Sequence, residues 1–134
     1  MPVCQLIQRE SGQVVVPRLK LATTFWERFR GLQLQKPLPA DEGLLIAPCS
    51  SVHTHWMRFA IDIVMINRHG TVLQTRSDVR PWKLCGAPKG TRYVVETLGR
   101  TNQLKEGDNV TLSLPEGYNP PRAVLQLVQT EKFD

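Results

Sequence analysis

A chain of 134 residues fits one domain and leaves room for a hydrophobic core. Apolar residues make up 41% and charged residues 22%, a balance that excludes a disordered chain. No apolar run approaches the roughly 20 residues that a membrane-spanning helix needs, and a net charge of +5 favours anionic partners over cationic ones.

The opening "MPVCQLIQRESG" has no basic start followed by a long apolar stretch, so no secretory signal is expected and the expected compartment is the cytoplasm. "CQLIQ" and "QVVVPRLKLA" flank the polar turn Arg9–Gly12 and predict a hairpin. Pro17 makes its second strand an edge strand or a bulged one. In "TTFWERFRGLQL" the period changes: Leu21, Phe25, Phe29 and Leu32 form one helical stripe. Thr24 with Glu27 three residues on is a capping-box pattern, and Pro37 and Pro39 end the helix.

"GLLIAPC" predicts a short strand. "AIDIVMIN", the turn "NRHG" and "TVLQTRSD" predict a second hairpin. "VRPWKLCGAPKG" reads as a surface loop and "TRYVVETL" as a strand. A Gly-Asp turn leads into "VTLSL", and "RAVLQLVQ" alternates like a last strand. Seven or eight short strands with one helix predict a single domain over residues 1–134, a mainly β sandwich or barrel, largely antiparallel, with the helix packed on it.

The charge is not spread evenly. Between Ile63 and Val95 stand Arg68, Arg76, Arg80, Lys83, Lys89 and Arg92 against the single acid Asp78, and elsewhere bases and acids cancel. Such a segment suits an anionic small molecule or nucleic acid, or is simply a solvated face. Cys4, Cys49 and Cys85 lie in no C-x-x-C pair, which points neither to a disulfide framework nor to structural zinc.

Candidate site residues gather around "SVHTHWMRFAIDIVMIN". Ile61, Ile63 and Met65 share one face of a strand and Asp62, Val64 and Ile66 the other. Both faces are apolar, so the strand is expected to be central and covered on both sides. Asp62 then has to be satisfied at a buried strand end, either by a neighbouring turn or Arg, or by a ligand. His53 and His55 form an H-x-H pair that could place two imidazoles on one metal, with Asp62 or Glu96 completing the set. Cys49 close to His53 lacks the elbow motif of a nucleophile.

Taken together, "RFRGLQLQKPLPADEGLLI", "THWMRFAIDIVMINRHGTV" and "VVETLGRTNQLKEGDNV" resemble the uncharacterised domain-of-unknown-function family number 192. The matching positions include Arg28, Gly31, Leu32, Gly43, Leu44, Trp56, Met57, Ile61, Asp62, Gly70, Glu96, Gly107, Asp108 and Val110, over about residues 20 to 112. The resemblance implies a compact, mainly β domain and no particular activity.

The resulting expectation is a small binding module without a cofactor. Its cleft would lie near Trp56, Asp62, Trp82 and Glu96, rimmed by Arg58, Arg80 and Lys83, and would take an anionic or sugar-like ligand. Two alternatives are a metal-dependent hydrolase or lyase using His53 and His55, and nucleic-acid binding through the basic segment.

Overall fold

Val, Ile and Leu dominate the segments that become strands, as residues that fit a pleated, buried surface should. The structure, a computed structural model, describes residues 3–24, 27–28, 39–49, 51–53, 59–99 and 103–128, with 51–53 and 84–85 by backbone alone. The described strands are β1 (Val3–Gln8), β2 (Val14–Ala22), β3 (Glu42–Ile46), β4 (Ser51–His53), β5 (Ile61–Asn67), β6 (Val72–Val79), β7 (Leu84–Gly86), β8 (Thr91–Thr97) and β9 (Val110–Ser113). A 3-10 helix follows at Arg122–Leu127.

Seven strands form one sheet in the order β6-β5-β8-β3-β2-β1-β9, while β4 and β7 pair separately. The domain is mainly β and compact, as expected, and most of its strand pairs are antiparallel. The sheet is single and mixed, because β2 and β3 run parallel. Parallel neighbours need a long crossover, and 19 residues separate the end of β2 from the start of β3.

The sheet curls without closing into a barrel. Val72 N donates to Asp108 O, Gly107 N to Val72 O and Val110 N to Gly70 O, at 2.8, 2.9 and 2.8 Å. These bonds tie the β5–β6 tip to the turn before β9. Gly70 is required there: its φ is +87°, and a Cβ would lie 2.6 Å from Val110 O.

Local chemistry accounts for most of the strand ends. Pro17 lies where the β1–β2 register slips between Leu6↔Val16 and Cys4↔Leu19, so β2 is bulged there and, being paired on both sides, is not an edge. Thr24 and Glu27 form the expected capping box: Glu27 N donates to Thr24 Oγ1 at 3.1 Å, and Thr24 N returns a bond to Glu27 Oε1 at 3.1 Å. The predicted helix beyond Arg28 lies outside the described residues.

Two segments differ from their expected form. The expected loop "VRPWKLCGAPKG" contains β7, which pairs with β4 in register Val52↔Cys85. The expected last strand "RAVLQL" is the 3-10 helix. Pro121 can only accept, and Val124 N bonds to its carbonyl at 3.1 Å. Val124 and Leu127 are buried three residues apart while Leu125 is exposed, a period of three rather than two.

Strand β5 has apolar packing on both faces. Val64 and Ile66 join one cluster with Leu6, Leu19, Leu45, Tyr93 and Val95. Ile61, Ile63 and Met65 join a second with Ala22, Leu44, Ile46, Val79 and Val94. The central, doubly covered strand read from "IDIVMI" is therefore present.

Candidate functional site

A carboxylate at the buried start of β5 needs a donor, and Asp62 has one. Its Oδ1 accepts a hydrogen bond from Asp78 N at 2.8 Å, and the residue is 8% exposed. The β5–β6 register slips at this point, from Ile61↔Val79 to Ile63↔Arg76, leaving one extra residue on β6. Asp78 takes up that slip in a left-handed conformation with φ +54°. Asp is one of the few side-chain-bearing residues that tolerate this region, so Asp62 pins a bulge.

Replacing Asp62 by Ala should leave the Asp78 N–H without its acceptor and lower stability by about 1–3 kcal/mol in urea denaturation. Asp78→Gly should leave stability unchanged or raise it by up to about 1 kcal/mol, because Gly adopts positive φ without strain. A change under about 0.5 kcal/mol for Asp62→Ala would show that the bond contributes nothing.

Glu96 stands on the other side of the sheet. It pairs with Leu44 on β3 and Ile63 on β5, and directly paired residues share a face. Asp62 pairs with Thr97, one position on, so the two carboxylates point to opposite faces. Strand alternation thus keeps these two members of the expected cleft apart. Glu96 is 3% exposed on the face of the second apolar cluster, and its Oε1 has no hydrogen-bond partner among the described residues. Burial pushes its pKa up to about 7.

Of the remaining expected residues, Arg80, Trp82 and Lys83 are exposed beyond the end of β6, with Trp82 at φ +65° and 55% exposed. Trp56, Arg58 and His55 lie outside the described residues, as does the His53 side chain. Among the described residues no three His, Cys, Asp or Glu converge on a metal position.

The basic excess divides in two. Register Asn67↔Thr91 sets the β5–β6 turn beside the start of β8, which puts Arg68, Lys89 and Arg92 at one end of the sheet. Register Ile61↔Val79 sends Arg76, Arg80 and Lys83 toward the other end. At the first end lies a cleft of about 390 Å³, lined by Arg28, Pro48, Cys49, Arg68, Gly90, Thr91 and Arg92. Among the described residues, three arginines and no carboxylate line it.

Backbone and side-chain hydrogen bonds together hold the walls of this cleft. Capping by Thr24 and Glu27 fixes the first helical turn, Arg28 N bonds to Thr24 O at 2.9 Å, and Arg28 Nη1 donates to Pro48 O at 3.1 Å. Cys49 N donates to Arg92 O at 2.9 Å, joining the chain after β3 to the start of β8. Thr91 N and Oγ1 both donate to Pro88 O, at 3.1 and 2.7 Å, and shape the third side. Arg68 comes from the hairpin turn, where its Nε contacts His69 Nε2 at a long 3.4 Å.

Two donors in the cleft stand out. Arg28 Nε and Arg92 Nε are shielded from solvent and have no hydrogen-bond partner among the described residues. A buried unpaired donor costs about 1–3 kcal/mol, and more when it is charged. Burial raises the Tyr93 pKa, and the charge of Arg92 and a hydrogen bond between the two side chains oppose that displacement, so Arg92 is engaged with Tyr93.

The sequence alone marks Arg28 only as a family-matching position, and Arg68 and Arg92 only as part of a charge excess. The capping box ahead of Arg28 is the one local sign that this side chain is held in place. Its meeting with Arg92 depends on pairing between distant strands.

Residues 6–112 match the model of the DUF192 family, described as Uncharacterized ACR, COG1430. A UPF0127 protein of Thermococcus sibiricus is 31% identical over 100 residues, covering 69% of this chain. That match spans 62% of the relative, less than two thirds of its length. A UPF0127 protein of Thermococcus kodakarensis is 29% identical over 117 residues, covering 79% of this chain and 71% of the relative. A solved structure of a protein of unknown function from Novosphingobium aromaticivorans has a TM-score of 0.68 at 24% identity, covering 82% of this chain and 83% of that one. One from Sinorhizobium meliloti, described as a putative transcription regulator, has a TM-score of 0.70 at 19% identity, covering 83% and 92%. At these identities the two structures speak for the fold alone. The chain belongs to the DUF192 family.

Proposed function

We propose that this DUF192 domain is a binding module for a small anion, held in the cleft formed by Arg28, Arg68 and Arg92. One observation carries the reading. Three arginines from separate parts of the chain, Arg28, Arg68 and Arg92, line one cleft whose described lining residues include no acid. Guanidinium groups are suited to oxyanions, and their summed positive charge favours one there. The volume lies within the roughly 300–1,000 Å³ typical of small-molecule sites.

The binding class is the one expected from composition, and the location is different. Asp62 already has a structural partner, and Glu96 faces an apolar cluster on the opposite side. Arg80, Trp82 and Lys83, near the other end of the sheet, stay outside the proposed site. Separation of the basic residues between two ends also weakens the case for one continuous nucleic-acid face.

Thermal shift with sulfate and inorganic phosphate tests the module. Saturating anion should raise the melting temperature by several degrees, since a ligand at 100 times its Kd stabilises by about 2.7 kcal/mol. Sodium chloride should diminish the shift, and Arg28→Gln or Arg92→Gln should remove it while leaving the unliganded fold intact. Absence of any stabilisation by these anions in the wild-type protein would refute the reading.

A further inference from the structure

Independently of the anion cleft, we infer that the β4–β7 ribbon is a strap over Glu96, and that it lifts off the sheet when this carboxyl ionises. β4 and β7 pair with each other in a separate two-stranded sheet, in register Ser51↔Gly86 to His53↔Leu84. Their connections show which face they cover. Ahead of β4, Cys49 packs against the second apolar cluster, and Cys49 N is bonded to Arg92 O at the cleft end of the sheet. After β4, Phe59 packs on the same cluster, just before β5 begins at the opposite end. β7 makes the return journey. It follows Val79, a member of that cluster at the opposite end, and precedes Ala87, which also packs on it. Pro88 O then accepts two bonds from Thr91 where the chain enters β8. The ribbon is thus tied to one face at both ends. Glu96 lies on that face between the ties, in the row with Leu44 and Ile63.

The strap is the weaker partner in this contact. β5 and β8 share a ladder from Asp62 to Asn67, whereas β4 and β7 are each three residues long. Openings short of global unfolding draw on such lightly bonded segments. Glu96 supplies the trigger. Its Oε1 has no donor and is sealed from solvent, so the charged form needs water that the closed strap excludes. The charged groups on the same face are Arg76, opposite Ile63, and Lys20, opposite Leu44. Each is two strand spacings from Glu96, roughly 10 Å, and Lys20 already meets Glu42 at 3.7 Å. Arg92 lies four residues back along β8, with its charge on Tyr93. Cys49 stands at the base of the strap, which itself carries His53 and Cys85.

Hydrogen exchange on the full chain from pH 4.5 to 8, with each amide's intrinsic rate divided out, reads the opening constants. Amides of β4 and β7 should open more readily than those of β2 and β8. Burial raises the Glu96 pKa, so the closed state holds a proton that the open state has released, and closure weakens as pH rises. The opening constant of the strap should therefore increase about 300-fold between pH 4.5 and 7, then level off. In Glu96→Gln it should stay flat.

The wild-type profile is decisive even if the variant does not fold. Strap amides whose opening ignores pH would overturn the inference, because the strap would then open without uncovering Glu96. Opening constants equal to those of β2 and β8 would also overturn it, since the ribbon would part only on global unfolding. A pH response retained in Glu96→Gln would belong to His53, which titrates at about 6.5, and would remove Glu96 as the trigger.

Discussion

The wild-type protein is expected to lose stability between about pH 4.5 and 7, and Glu96→Gln to abolish that loss. Burial lifts the Glu96 pKa from an ordinary 4.5 to about 7, so the folded chain binds a proton that the unfolded chain has already released in this window. Stability therefore falls as pH rises. The contribution is fully present below the unfolded value, declines through the window and is gone once pH passes the folded value. The gap is worth about 3 kcal/mol.

Glutamine keeps the shape of the neutral acid and cannot ionise. The variant should match the wild type within about 1 kcal/mol at pH 5 and exceed it by about 2–3 kcal/mol at pH 8. Urea denaturation midpoints at about pH 5, 6.5 and 8 measure the difference. Parallel pH profiles for the two proteins would show that Glu96 is not the group responsible.

The second large effect belongs to Gly70. An alanine there would have to hold φ near +87° and place its Cβ 2.6 Å from Val110 O, a backbone atom that no rotamer change can move aside. Left-handed strain adds about 1–2 kcal/mol, and displacing the Gly70–Val110 contact adds overpacking of about 1–3 kcal/mol. Gly70→Ala should thus lose about 3 kcal/mol or more. Gly12→Ala, at φ +72° with nothing within 4 Å, should lose only the strain. Equal losses at the two positions would mean that the tie between the β5–β6 tip and the turn before β9 adds no stability.

Features set by near neighbours in sequence are legible from the residues. The Thr24–Glu27 capping box, the bulge at Pro17, the Asn67–Gly70 turn and the two apolar faces of β5 each rest on local spacing. Asp62 is recognisable as a buried acid in need of a donor, but its partner, Asp78 N, comes from the bulge across the hairpin. Expectation and structure part where pairing over long distances decides the outcome. The parallel β2–β3 ladder is one such pairing, and no local spacing announces it. "RAVLQL" alternates well enough to pass for a strand, yet prolines ahead of it and the spacing of Val124 and Leu127 favour a tighter coil.

The same division explains the site. Asp62 and Glu96 group naturally in the sequence as acids next to apolar runs, and a one-position offset in the β5–β8 register puts them on opposite faces. Arg28 and Arg92 are 64 positions apart in sequence, and no periodicity links them. Their meeting follows from the Arg28–Pro48 and Cys49–Arg92 bonds, which fasten the segment after β3 between them.

The side-chain Nε–H resonances of Arg28 and Arg92 give the most direct reading of the cleft. In nitrogen-15 spectra of the full chain titrated with inorganic phosphate, both should move together and saturably, with Arg18 unmoved because Asp41 already occupies its edge. Arg28 and Arg92 signals that stay fixed through the titration, or that drift no more than Arg18, would contradict the account.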